Sequence, residues 1–177
     1  MTQKYKIGLF IGRFQPLHKG HLLIIRQITK QVEKLIIGIG SSQFSNEPRN
    51  PFSSDERQEM IKRAMKEAGI ENYKIVEIPD IPDNELWVRH VKKIVGKFDM
   101  SWSGDDSVIN LFKKAGEPVT VIKKFPGLSG TRVRRFICRG LPWRRFVPQS
   151  VNKYLDEIKG VKRIRVLCSD LSTSRVF

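Results

Sequence analysis

Cysteine is scarce: Cys138 and Cys168 are the only two in 177 residues, and neither stands in a CxxC or Cys/His ligand spacing. That excludes a disulfide framework and a thiolate zinc site as the basis of the fold, and both side chains are read as reduced thiols. Long apolar runs are missing too. None approaches the ~20 residues of a membrane helix, and the first residues lack the charged-then-apolar layout of a signal peptide, so a cytoplasmic protein is expected. No internal repeat, low-complexity tract or convincing linker interrupts the chain. A single α/β domain over 1–168 follows as the expectation, with the polar, weakly patterned 169–177 as a flexible tail. Acidic residues are absent from Pro118 through Leu155, where nine basic ones occur, among them Lys123, Lys124, Arg132, Arg134, Arg135, Arg139, Arg144 and Arg145.

What is present is positive charge. Thirty-three Lys and Arg against eighteen Asp and Glu give +15 and an isoelectric point near 10.1. Such an excess favours polyanionic partners: nucleic acid, anionic membrane or phosphorylated small molecules. Charge alone does not choose among them.

Apolar runs of strand length recur at Lys6 to Ile11, Leu35 to Ile39, Lys74 to Ile78, Phe98 to Ser103 and Val119 to Ile122, with helical patterns between them. The alternation predicts a Rossmann-like parallel five-stranded sheet with helices on both faces and a C-terminal helical segment. Leu22, Ile25, Ile28 and Val32 repeat at helical spacing after the first run. Ser53 and Glu56 form a candidate capping box for a helix through Ala68, ended by Gly69. Asn84, and Asp105 or Asp106, are candidate N-caps of two more helices. Ser129-Gly130-Thr131 should cap a helix through about Arg139, and Val147 to Ile158 should form another. Ligands of open α/β sheets bind at the carboxyl ends of the strands, so the loops after Ile11, Ile39, Ile78 and Ser103 carry the expected site.

The first of those loops is Gly12-Arg13-Phe14-Gln15-Pro16-Leu17-His18-Lys19-Gly20-His21. Two imidazoles three residues apart open a helix whose unpaired N–H groups favour an anion. In isolation such a pair serves equally as metal ligands or as solvent-exposed histidines. The glycine-arginine turn directly after a strand, and the glycine between the histidines, let a ligand approach the backbone closely. A metal site would also want a carboxylate or third histidine nearby, and none stands in the segment.

This stretch resembles the HxGH signature of the adenylyltransferase and cytidylyltransferase superfamily, and Ser129-Gly130-Thr131-Arg132-Val133-Arg134 resembles its second hallmark, ISSTxxR, with Arg134 in the arginine place. Over about Lys6 to Leu167 the chain is similar to the archaeal type of nicotinamide-mononucleotide (NMN) adenylyltransferase. Matching stretches include Arg49-Asn50-Pro51-Phe52-Ser53, Glu56-Arg57, Ile78-Pro79-Asp80-Ile81, Leu86-Trp87-Val88, Ser103-Gly104 and Ile158-Lys159-Gly160-Val161. The resemblance implies attack of the NMN 5'-phosphate on the α-phosphorus of ATP, yielding NAD and pyrophosphate. It implies His18, His21 and Arg134 as catalytic groups, and Gly12, Arg13, Phe14, Gly104, Ser129, Gly130 and Thr131 with them around ATP. Arg13, Arg49, Ile81, Asn84 and Trp87 would bind NMN, the indole stacking on the nicotinamide ring. Mg²⁺ would be carried by the ATP phosphates with no protein metal site. A homo-oligomer, often a hexamer, is the implied assembly, with no membrane and no specific nucleic acid as partner.

Blander readings stand beside these. Without the resemblance, Trp87 reads as a core residue of an amphipathic helix, and Arg13 and Arg49 as solvated arginines. The acceptor could be nicotinate mononucleotide, phosphopantetheine or FMN, and the stretch from Lys123 to Arg145 could grip nucleic-acid phosphates. Gly104-Asp105-Asp106 departs from the family's usual Gly-Asn, and those carboxylates assist Mg²⁺ or merely cap a helix. A class I aminoacyl-tRNA synthetase needs a longer chain. A dehydrogenase is disfavoured because Ser41-Ser42-Gln43 follows Gly38-Ile39-Gly40 in place of the remaining fingerprint glycine.

Overall fold

The computed structural model describes residues 4–123 and 125–169. Contacts divide the chain into two compact units that interleave along the sequence. The first takes the described residues of Met1–Gly12, Leu23–Ser42 and Ile70–Lys124; the second takes those of Arg13–Leu22, Gln43–Gly69 and Phe125–Phe177.

The first unit holds the sheet: β1 (Tyr5–Gly12), β2 (Val32–Gly40), β3 (Tyr73–Ile78), β4 (Met100–Ser103) and β5 (Val119–Val121). All neighbours are parallel, in the order β3-β2-β1-β4-β5. Strand order therefore runs one way from β1 through β3 and reverses at β4, which makes the β1/β4 carboxyl ends the switch point of the sheet. The right-handed crossover rule assigns α1 (Lys19–Thr29) to one face and α3 (Asn84–Val95) with α4 (Asp106–Lys114) to the other. Leu9, Ile36, Ile78, Trp87, Val91 and Phe112 are buried together in the core of this unit. Ile25 and Ile28 are buried on α1, whereas Val32 already belongs to β2.

Two of the boundaries that differ from the sequence expectation are set by a side-chain carboxylate. The Asp99 carboxylate accepts the Lys6 and Ile7 N–H groups at 2.9 and 2.8 Å. That bond occupies the edge of β1, and strand pairing with β4 starts only at Gly8 opposite Met100. Asn84 is not the N-cap of α3. Asp83 is: its carboxylate accepts from Glu85 and Leu86 N–H at 2.8 and 3.3 Å, and Asn84 becomes the first helical residue. Of the two candidates ahead of α4, Asp105 is the cap, accepting from Ser107 and Val108 N–H.

The second unit holds α2 (Ser54–Ala68), α5 (Gly130–Cys138), a 3₁₀ turn (Arg144–Phe146), α6 (Gln149–Glu157) and α7 (Gly160–Ser169). The capping box is present: Ser53 Oγ accepts from Glu56 N–H, and the Glu56 carboxylate accepts from Ser53 N–H. Gly69 ends α2 in the left-handed region. The helix expected over Val147 to Ile158 is α6, shortened because Pro148 occupies its cap position and Glu67 of α2 accepts from Gln149 and Ser150 N–H. The separate helix α7 has no counterpart in the sequence reading. It carries the correction for the cysteines: Cys138 of α5 and Cys168 of α7 form a disulfide, their Cα atoms 6.1 Å apart across 30 residues. Helix packing, not sequence spacing, brings them together. Of the tail expected over 169–177, Ser169 ends α7 and the rest lies outside the described residues.

The α3 cap yields a direct check. Asp83→Ala should cost about 1 kcal/mol in urea unfolding, the usual loss of a capping side chain, and Asn84→Ala less than about half that. Equal costs would reverse the assignment.

Candidate active site

The histidine turn begins where β1 ends. Arg13 is exposed, but Phe14 is 1% exposed and has φ 51°. A buried aromatic in the left-handed region costs on the order of 1–3 kcal/mol, a cost that the surrounding packing must offset. Gln15 then locks the turn to the loop ahead of α2. Its side-chain amide donates to the Phe52 carbonyl at 2.8 Å and accepts from Phe52 N–H at 3.0 Å, satisfying both ends of a buried amide.

His18, 6% exposed, and His21 stack with ring centroids 3.7 Å apart and planes 18° from parallel. Each backbone N–H donates to the other ring's Nδ1 at 3.3 Å. An Nδ1 that accepts cannot carry the proton, so these bonds select the tautomer with hydrogen on Nε2. Burial lowers the His18 pKa to about 4. Burial and the neighbouring His18 together hold His21 well below its ordinary value. Both rings are therefore neutral N–H donors near pH 7. Gly20 makes the arrangement possible: a Cβ there would stand 3.0 Å from His18 Nδ1 and 3.2 Å from the Leu128 side chain.

The second motif arrives on α5. Ser129 caps it, accepting from Arg132 N–H at 3.1 Å. Gly130 lies against the Gln15 carbonyl, which a Cβ would approach to 3.0 Å. Arg134 reaches back to that same oxygen, Nη1 donating at 2.7 Å, while Nη2 donates to Thr131 Oγ1 at 3.4 Å. Burial, then the charges of Arg13 and Arg49, lower the Arg134 pKa to about 10. None of the three arginines forms an ion pair among the described residues. The second unit thus gathers His18, His21, Arg13, Arg49, Ser129, Gly130, Thr131 and Arg134 around one turn. Cationic charge without a counter-charge, beside a helix start and two N–H donors, suits a polyphosphate.

The remaining expected residues lie in the first unit. Gly12 ends β1 and Gly104 follows β4. Ile81, Asn84 and Trp87 cluster around the start of α3, where Asn84 is exposed. Trp87 is 8% exposed and packs edge-on to Phe112, ring centroids 6.0 Å apart, within the core. Asp105 acts as the helix cap already described. Within the basic stretch, Arg132 stacks over Phe136 and Phe146, Arg145 over Phe146, and Arg144 over Trp143 while pairing with Asp156. Lys124 lies outside the described residues. Among those described, no group of three or more His, Cys, Asp and Glu could hold a metal ion, and no helix is long and apolar enough to cross a membrane.

Sequence reading missed the residues that hold the site together. Gln15 lies inside the first motif yet showed no sign of its partner 37 residues away. Arg57 of α2 is completely buried, its guanidinium donating to three backbone carbonyls. On α7, Arg163 forms a two-point ion pair with Glu56 and also donates to the Pro51 carbonyl. Burial alone would raise the Glu56 carboxyl, but Arg163 and the Ser53 N–H outweigh it and hold it below the ordinary range.

The cytidylyltransferase-like family matches residues 9–136. A nicotinamide-nucleotide adenylyltransferase of Pyrococcus furiosus is 44% identical, the match covering 96% of this chain and 93% of that protein. One from Pyrococcus horikoshii is 45% identical over 94% and 91%. Among solved structures, a bifunctional NMN adenylyltransferase/ADP ribose pyrophosphatase of Francisella tularensis, complexed with AMP and a manganese ion, shares the fold. Its TM-score is 0.78 at 24% identity, the match covering 96% of this chain and 53% of that one, so the chain spans about half of the bifunctional protein. Given a family match over more than half its length and relatives this similar along nearly all of it, the chain belongs to the cytidylyltransferase-like family and, within it, to the nicotinamide-nucleotide adenylyltransferases.

Proposed function

We propose that the chain transfers the adenylyl group of ATP to nicotinamide mononucleotide, releasing pyrophosphate and forming NAD. The observation that carries the reading is the cluster of Arg13, Arg49 and Arg134 without a counter-ion, in the same unit as two neutral, stacked histidine donors. An oxygen of the NMN 5'-phosphate attacks the α-phosphorus, and the bond to the β-phosphate oxygen breaks. No protein nucleophile takes part. The protein's task is to align two anions and to stabilise the charge that moves onto the leaving group.

In this reading Nε2–H of His18 and of His21 donate to ATP phosphate oxygens. Arg134, with Thr131 and the N–H groups that open α5, takes the β- and γ-phosphates. Gly12, Phe14 and Gly104 supply backbone close to the nucleotide. Arg13 and Arg49 hold the acceptor phosphate. Trp87, Asn84 and Ile81 are assigned to the nicotinamide group, the indole by stacking and Asn84 with backbone near Ile81 by hydrogen bonds to the carboxamide. A site of arginines and neutral histidines suits Mg²⁺ carried in by ATP and not held by protein ligands, and such an ion would supply further charge neutralisation on the phosphates. The assembly proposed is a homo-oligomer, a hexamer on the family pattern, and light scattering measures it.

Purified protein should form NAD and pyrophosphate only when ATP, NMN and Mg²⁺ are all present, and a panel of nicotinate mononucleotide, phosphopantetheine and FMN ranks the acceptors. No dinucleotide under any of these conditions would sink the reading. Arg134→Gln should lower kcat/KM by about 10²–10³, as for loss of one charge-stabilising donor. Trp87→Phe, which keeps an aromatic in the core, should raise the KM for NMN while leaving that for ATP within about threefold, since stacking weakens as the ring becomes smaller.

The neutral histidines also fix a pH dependence of stability. Unfolded His18 takes a proton near pH 6.5, whereas folded His18 stays neutral down to about 4. Between those values the unfolded chain binds more protons, so stability declines as pH falls through the window and is level above it. A tenfold difference in proton affinity corresponds to about 1.4 kcal/mol, so His18 accounts for on the order of 3 kcal/mol of the decline. Urea titrations at pH 7 and pH 4.5 should show a shallower loss in His18→Gln. An unchanged loss would contradict the neutral assignment.

A further inference from the structure

Arg57 is the largest of the fully buried side chains and has no place in the chemistry above, because it cannot reach a substrate. Each of its three nitrogens donates to a backbone carbonyl of a different segment. Nε donates to the Ser53 carbonyl at 3.1 Å, Nη1 to the Arg13 carbonyl at 3.2 Å, and Nη2 to the Phe44 carbonyl at 3.4 Å. The planar guanidinium is thus a junction between the cap of α2, the turn that carries Arg13 and the loop that leads to Arg49. The Gln15–Phe52 amide pair joins the same turn and loop a second time.

We propose that Arg57 is a positioning residue for the acceptor phosphate, setting where Arg13 and Arg49 stand relative to each other through the backbone of the segments that carry them. The inference rests on the functional reading given above. Packing does not require a charge there: a methionine would fill similar volume, and burying a cation carries a desolvation cost. Lysine would keep the charge but concentrates its donors on one nitrogen, whereas the guanidinium fork spreads its donors in fixed directions. The residues it aligns repel each other, so without the junction the loop bearing Arg49 would relax away from Arg13. Arg134 has its own anchor, the Gln15 carbonyl. Loss of Arg57 should therefore fall on the mononucleotide more than on ATP.

The test compares Arg57→Lys, Arg57→Met and Arg49→Ala with the wild-type chain by steady-state kinetics, and by calorimetric titration with NMN. Arg57→Lys should raise both the KM and the calorimetric Kd for NMN about tenfold or more, with the KM for ATP within about threefold, a scale in line with small misplacements of a substrate-binding group. The double variant Arg57→Lys/Arg49→Ala should bind NMN no worse than Arg49→Ala alone, the non-additivity expected when one residue acts through the other. If both Arg57 variants fail to fold, Gln15→Met cuts the second link between the same segments and should also raise the calorimetric Kd for NMN. Equal rises for both substrates, additive losses in the double variant, or wild-type NMN affinity in folded variants would each overturn the proposal. A wild-type chain that binds NMN but makes no NAD would instead fail the functional reading, and the calorimetric arm would still decide the role of Arg57.

Discussion

Positive charge around the histidine turn is held by neutral oxygen, whereas elsewhere in the second unit Arg163 pairs with Glu56 and Arg144 with Asp156. Arg134 donates to the Gln15 carbonyl, and Arg57 to the carbonyls of Ser53, Arg13 and Phe44, with no carboxylate paired to Arg13, Arg49 or Arg134 among the described residues. The choice of carbonyls has an energetic meaning. A carboxylate would neutralise a guanidinium and have to be displaced before a phosphate could bind, whereas a carbonyl dipole orients the group and leaves its charge available. Burial first, and then the charges of Arg13 and Arg49, lower the Arg134 pKa to about 10. A bound polyanion would offset the repulsive part, so in the proposed function that repulsion adds to the affinity for phosphate.

The histidines follow the same logic in the neutral state. A buried imidazolium beside three arginines would add a fourth cation to a site that already repels itself. The reciprocal N–H to Nδ1 bonds avoid this, giving each ring its Nε2–H without a net charge. Donors of this kind need no reorganisation as charge shifts toward the leaving group, because the backbone has already fixed their direction. Gly20 and Gly130 serve that fixing, one under the His18 ring and the other against the Gln15 carbonyl.

The fold was legible in the sequence because its signals are local. Apolar runs located five strands, and the Ser53–Glu56 box with Gly69 bounded α2 at both ends. Where two good caps adjoin, as at Asp83-Asn84, residue type cannot choose between them, and the register of the first turn does. Helix α7 escaped notice because Lys162, Arg163 and Arg165 are interspersed among its few apolar residues and blur their periodicity, and the disulfide escaped with it. Of the candidate site, the motif residues could be read and their support could not. Arg57 stands in a charged, helical context whose ordinary fate is solvent, and the two carbonyls that bury it come from residues 44 and 13 positions away.

Net charge proves the weakest of the sequence signals, for a physical reason. The acid-free stretch from Pro118 to Leu155 suggested a continuous polyanion grip, yet its arginines do different work in the folded chain. Arg132 and Arg145 lie on the Phe146 ring, and Arg144 lies on Trp143 with Asp156 as its partner. Stacking on an aromatic face takes up the apolar plane of a guanidinium and leaves its edge for hydrogen bonds, so these groups secure the junction of α5 and the 3₁₀ turn. Arg134 alone among the arginines of this stretch donates to the carbonyl of the histidine turn. In the proposed function, the nucleotide site therefore rests on the direction of one guanidinium and not on the sum of nine charges.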